Sequence, residues 1–62
     1  MKKYMILIED PESCEVSFFN DFNKAMDFVE SSRDDGYYVE AYERRPIRCE
    51  SRVVGFEYRR VD

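Results

Sequence analysis

Phe22-Asn23-Lys24-Ala25-Met26-Asp27-Phe28-Val29-Glu30 is the stretch that decides the fold. Phe22, Ala25, Met26 and Val29 recur at i, i+3, i+4 and i+7, which is one face of an α-helix. Asn23, Lys24, Asp27, Glu30 and Ser31 mostly fill the other face, and Phe28 sits near the edge of the apolar stripe. Asn20 or Asp21 can cap the first N–H groups. The pattern fades through Ser31-Ser32-Arg33-Asp34-Asp35 and should stop at Gly36, which accepts the left-handed conformation that closes a helix.

The segments on either side have a period of two. Upstream, Tyr4 to Ile8 is an apolar run too short for a helix, closed by Glu9-Asp10-Pro11-Glu12-Ser13, a turn in which Pro11 presets φ. Cys14 to Phe19 follows, with Cys14, Val16 and Phe18 alternating against Glu15, Ser17 and Phe19. Downstream, Tyr37 to Arg44 reads as a third strand. Arg45-Pro46-Ile47-Arg48-Cys49-Glu50 reads as a loop, and Ser51 to Val61 as a fourth strand. The order ββαββ predicts an α+β fold in two layers: a four-stranded, mainly antiparallel sheet with one helix packed on one face. It occupies a single small domain over residues 1–62, with the third strand beside the first or second after the helical crossover.

One helix covers only one side of such a sheet. Alternation turns Tyr37, Val39 and Ala41 inward and Tyr38, Glu40 and Tyr42 outward. In strand four the bulkier set, Val54, Phe56 and Tyr58, is expected to face the helix in preference to Val53, Gly55 and Glu57. Strand one is apolar on both sides, with Tyr4, Ile6 and Ile8 on one and Met5 and Leu7 on the other. The uncovered side is therefore expected to carry apolar surface. Met5, Leu7, Tyr38 and Tyr42 are its candidate contacts, either with a second copy in a homodimer or with another molecule.

Length and composition bound the rest. A domain of about 60 residues buries only roughly 60% of the surface its unfolded chain exposes. Without a staple or a partner, its net stability rarely exceeds about 3–5 kcal/mol. Five Phe and five Tyr nevertheless favour folding over disorder. Cys14 and Cys49 are far apart in sequence and there is no His, which argues against zinc and leaves free thiols or one disulfide. The apolar run after Met1-Lys2-Lys3 is too short for a signal peptide, so the expected location is the cytoplasm, that of the host cell if a phage encodes the chain.

The net charge of −4 is unevenly divided. Residues 1–43 hold eleven acids against Lys2, Lys3, Lys24 and Arg33, a balance of −7. Residues 44–62 hold Arg44, Arg45, Arg48, Arg52, Arg59 and Arg60 against Glu50, Glu57 and Asp62, a balance of +3. Asp21, Asp27, Glu30, Asp34 and Asp35 can form an acidic ridge that docks in a basic groove, such as that of a nucleic-acid enzyme. The bland alternative is a solvated helix face. The arginines, with Tyr38, Tyr42 and Tyr58 as stacking platforms, suit nucleic acid, although a chain this acidic is unusual for that role.

Catalysis has little to build on. The commonest general base is missing, neither thiol has an imidazole to activate it, and no phosphate-binding glycine loop occurs. Asp34-Asp35-Gly36 is too short for a calcium loop. No cofactor is expected. The sequence points to a non-enzymatic protein-binding module: a small regulator or inhibitor, of the size and acidity that phages and mobile elements often encode. Nucleic-acid binding and a structural place in a larger assembly are the alternatives.

Overall fold

In a computed structural model, which describes residues Lys2 to Val61, the chain folds as β1 (Tyr4–Glu9), β2 (Cys14–Phe19), α1 (Phe22–Asp34), β3 (Tyr38–Cys49) and β4 (Arg52–Arg60). The strands form one sheet in the order β2-β1-β3-β4, with every neighbouring pair antiparallel. The helix therefore crosses β1 to deliver β3 to its far side, and β1 becomes an interior strand. This is the α+β two-layer ββαββ arrangement expected from the sequence.

Register fixes which side chains share a face. Tyr4, Ile6 and Ile8 on β1 stand opposite Phe19, Ser17 and Glu15 on β2, and opposite Glu43, Ala41 and Val39 on β3. The helix lies on this side, its contacts falling on β1, β2 and β3. The core is Tyr4, Ile6, Ala25, Val29, Val39 and Ala41, with Ile8, Phe19, Met26 and Phe28 packed around it. Ile6, Ala25 and Ala41 are completely buried. Ala25 on the helix and Ala41 on the sheet belong to this one cluster, and side chains this small let the helix approach the sheet closely.

Asp21 caps the helix, accepting hydrogen bonds from the N–H groups of Asn23 and Lys24 at 2.8 and 3.2 Å. At the other end Gly36 takes a φ of +93°, and its N–H donates to the Arg33 carbonyl. Arg33 Nη2 then donates to the Val39 carbonyl at 3.1 Å, fastening the helix end to β3. The buried helical face differs from the expected one at its ends. Phe22 remains half exposed, its ring set edge-on to Tyr4 at 5.7 Å, because it lies at the start of the helix over the rim of the sheet. Ser32 is buried in the last turn instead.

The β1–β2 turn is organised by Asp10. Its carboxylate accepts the N–H groups of Glu12 and Ser13 at 2.8 and 2.7 Å, together with the Ser13 hydroxyl. These donors, the Glu12 N–H first, hold the Asp10 pKa below its ordinary 3.8. A carboxylate lowered in this way stabilises the folded turn above its unfolded pKa, and the contribution is lost as pH falls through the lower, folded value. An NMR titration from about pH 5 to about pH 2 should therefore show the Asp10 carboxyl carbon and the Glu12 and Ser13 amides moving together, with a midpoint below that of a free aspartate. A midpoint at or above the free value contradicts this role for Asp10.

The largest departure from expectation is in β3. Residues 45–49, expected as loop, continue the strand, and the connection shrinks to Glu50-Ser51, at φ of +50° and +70°. Positive φ at both central residues marks the tight hairpin turn whose twist matches the flanking strands. Pro46 is tolerated because of where its nitrogen points. The Arg44 N–H donates toward β1, to the Lys3 carbonyl at 2.7 Å. Two residues on, Pro46 aims its nitrogen to that same side, beyond Tyr4 where β1 starts, so it takes no place in the β1–β3 ladder. A shift of register between Ile47 and Arg48 leaves Val54 as an extra residue on β4.

As a result β3 and β4 project past the rest of the sheet as a two-stranded arm. The molecule measures 44 × 24 × 18 Å, and its radius of gyration is 13.4 Å. A compact chain of this length would have roughly 10–11 Å.

Candidate functional site: the open sheet face and the arm

The side of the sheet away from the helix is built by the alternate residues of all four strands. Met5 stands between Phe18 and Tyr42, and Leu7 between Val16 and Glu40. Tyr42 is followed by Arg60, Arg44 by Tyr58 and Pro46 by Phe56 as this side runs onto the arm. Of these, Val16, Phe18 and Phe56 are about half exposed, as are Tyr38 and, opposite Arg48, Val53. Single exposed apolar residues are ordinary. Five on one side of one sheet, interleaved with Glu40, Arg44, Arg48 and Arg60, are a concentration of the kind that marks contact surfaces.

Strand β4 corrects the sequence reading. Phe56 and Tyr58 lie on the open side, whereas Gly55, Glu57 and Arg59 occupy the helix side. Val54, expected in the core with them, is the most exposed of the large hydrophobics, at 64%. The helix lies over β1, β2 and β3, so bulk on β4 is not drawn toward it. Tyr37, expected to point into the core, precedes β3 and is 43% exposed at the mouth of a cleft of about 270 Å³ that also involves Ile8, Phe28 and Asp35. That cleft is polar and open, and among the described residues no group of His, Cys, Asp or Glu is placed to hold a metal ion.

The open side has internal order. The Tyr58 hydroxyl donates to the Lys2 carbonyl at 2.7 Å, carrying β4 back to the start of the chain, and its ring lies 6.4 Å from Phe18. The Tyr42 hydroxyl donates to Glu40, which also pairs with Arg60 at 3.5 Å. The Arg44 guanidinium lies 4.8 Å from the centre of the Phe56 ring. The expected dimer contacts Met5, Leu7, Tyr38 and Tyr42 do share this face, with Tyr38 the most exposed of them. Sequence reasoning left out Val16, Phe18, Val53 and Phe56. For β2 the signal was available, since Tyr4 needs an apolar neighbour and Phe19 opposite it turns Phe18 and Val16 the other way.

The remaining candidates separate. Asp27, Glu30 and Asp34 form one exposed stripe along the helix, while Asp21 and Asp35 sit at its two caps, Asp21 committed to backbone N–H groups. The six arginines divide between faces. Arg45 and Arg59 stand on the helix side beside Glu43 and Glu57, at 3.9 and 2.7 Å, and Arg44 and Arg60 stand on the open side. Arg48 and Arg52 flank the arm's tip. Cys14 and Cys49 are both free and exposed, at opposite ends of the molecule.

No family model, curated protein or solved structure matches the chain. No helix among the described residues is long and apolar enough to cross a membrane.

Proposed function

We propose that this chain is a non-catalytic protein-binding module, a regulator or inhibitor that acts by docking, and that its working surface is the open sheet face together with the arm. The observation that carries this reading is the concentration of Val16, Phe18, Tyr38, Val53 and Phe56 on the side the helix does not cover. The occupant is protein, because apolar side chains spread across a broad sheet face gain most from another extended apolar surface. The acidic stripe of Asp27, Glu30 and Asp34 adds long-range steering and selection among partners.

A nucleic-acid reading draws on the arm, which carries Arg44, Arg45, Arg48 and Arg52. It is the weaker one. The arginines face opposite sides, Arg45 beside Glu43, with Arg59 and Arg60 further along β4 beside Glu57 and Glu40, and Tyr42 and Tyr58 are half-buried with their hydroxyls engaged. A continuous phosphate track needs its cations on one side.

A photo-crosslinker attached to Cys49 at the arm's tip, on a tether long enough to reach from the helix side round to the open side, in a Cys14→Ser chain, tests the reading in extract of the native cell. A discrete protein adduct is expected, and Phe18→Glu or Phe56→Glu should abolish it. Adducts to nucleic acid alone, or an adduct indifferent to both substitutions, would refute it.

A further inference from the structure

The acidic and basic halves of the sequence become opposite ends of the molecule. The Glu9 end of β1 lies with the β1–β2 turn, which holds Asp10 and Glu12, and with the helix C-terminus at Asp34 and Asp35. The other end is the arm, with Arg44, Arg45, Arg48 and Arg52 against Glu50 and Glu57. The arm and the body are also of similar length. β1 is six residues long, and β3 continues six residues past Glu43, the partner of Tyr4. At about 3.3 Å per residue each spans roughly 20 Å.

We infer that the occupant of the open face is a second copy of this chain, packed face to face and antiparallel, so that each arm lies over the other's body. This inference rests on the docking reading above: the second copy takes the open face, and the exposed helix stripe of Asp27, Glu30 and Asp34 is left for the protein that the dimer regulates. Three features argue for this arrangement. Antiparallel packing brings the basic arm of each copy to the acidic end of the other, whereas parallel packing stacks like charges. The open side is about 14 Å wide over the three-stranded body and about 10 Å wide along the two-stranded arm, a flat footprint of roughly 500 Å² that side-chain relief brings toward the ~800 Å² per partner of a standard interface. Finally, a two-stranded ribbon is at best marginally stable alone in water, so the projecting arm gains from cover. Edge-to-edge pairing is guarded against at one point only, the inner edge of the arm. On the side of β3 beyond the start of β1, Pro46 offers no N–H, and proline on an edge is a recognised block to strand addition. Across the face-to-face interface, Arg48, on the open side of the arm, faces the level of Glu9 on the open side of the body.

Sedimentation of the full chain at roughly 100 µM should give about twice the 7.5 kDa chain mass. The dissociation constant should rise with salt, since opposed charges are screened. Phe56→Glu should return the mass to that of the monomer while the protein still melts cooperatively, because Phe56 is outside the core. If that variant fails to fold, Arg48→Glu reads the same interface. It should weaken the dimer several-fold, and Arg48→Glu with Glu9→Arg should recover the loss. A wild-type monomer at that concentration overturns the inference, as does a dimer indifferent to both Phe56→Glu and Arg48→Glu. The Cys49 crosslink separates this failure from that of the docking reading. A monomer crosslinked to a different protein, sensitive to Phe18→Glu, leaves the module standing with another partner, whereas a monomer with no protein adduct removes both.

Discussion

Replacing Ile6 with alanine is expected to leave about half of the chains or more unfolded at 25 °C. Ile6 is the largest side chain fully excluded from water. It sits at the middle of the interior strand, flanked on its own face by Ser17 on one side and Ala41 on the other. Neither neighbour has bulk to move into the space its removal would open, so the cavity would persist. Truncations of this type cost about 2–5 kcal/mol, with the upper values where the site cannot collapse. A domain of this size has only about 3–5 kcal/mol in total. Removing most of it takes the folded-to-unfolded ratio from hundreds or more to around one, since each 1.4 kcal/mol is a factor of ten. Circular dichroism in a urea series should show the folded baseline lost or nearly lost. A cooperative transition with its midpoint nearly unchanged would mean that the core lies elsewhere. The same substitution at Phe56, a residue as apolar but half exposed, should change the monomer's stability little, so the pair separates burial from hydrophobicity.

The positions of these two residues show how much of the fold is legible in sequence. The helix and the first hairpin can be read because their periods are enforced by burial. Ala25 and Val29 must face a sheet, and Ile6 must lie under them, so a period of 3.6 is set against a period of two. Strand β4 cannot be read that way. It lies beside β3 at the sheet's rim, and no helix rewards one of its two alternating sets over the other. Gly55 and Glu57 can therefore take the helix side while Phe56 takes the open one. Pro46 misleads for a related reason. Proline argues against a strand only where a ladder hydrogen bond is required. Whether one is required depends on where β1 starts, a fact about a neighbour forty residues away in sequence. The candidate site inherits both blind spots. Met5, Leu7, Tyr38 and Tyr42 follow from local alternation, whereas Val53 and Phe56 depend on strand placement, as does the existence of an arm at all.

The second large effect concerns Ala41, where counting apolar atoms and packing them give opposite answers. Ala41→Leu adds three carbons at a buried apolar position, and by transfer free energy alone should stabilise the fold by about 0.8 kcal/mol for each one buried. The structure argues for a loss. Ala41 is completely buried and stands directly opposite Ile6, and Ala25 on the helix is completely buried as well. A larger side chain at this point can be accommodated only by lifting the helix or by forcing Ile6 and Val29 from their rotamers. Overpacking of this kind typically costs about 1–3 kcal/mol. For a domain of this length that corresponds to a fall in melting temperature of roughly 5–20 °C. Lifting the helix would also part Arg33 from the Val39 carbonyl and separate the Phe19 and Phe28 rings, now 5.2 Å apart. Chemical-shift changes should therefore reach Arg33 and Phe28 as well as the neighbours of residue 41. Met26→Leu is the control, a swap of nearly equal volume at a half-buried helical position, for which the expected cost is below about 1.5 kcal/mol. If Ala41→Leu raised the melting temperature, the helix would have to stand further from the sheet than two buried alanines imply. The helix-covered face and the open face would then differ less than the docking reading requires.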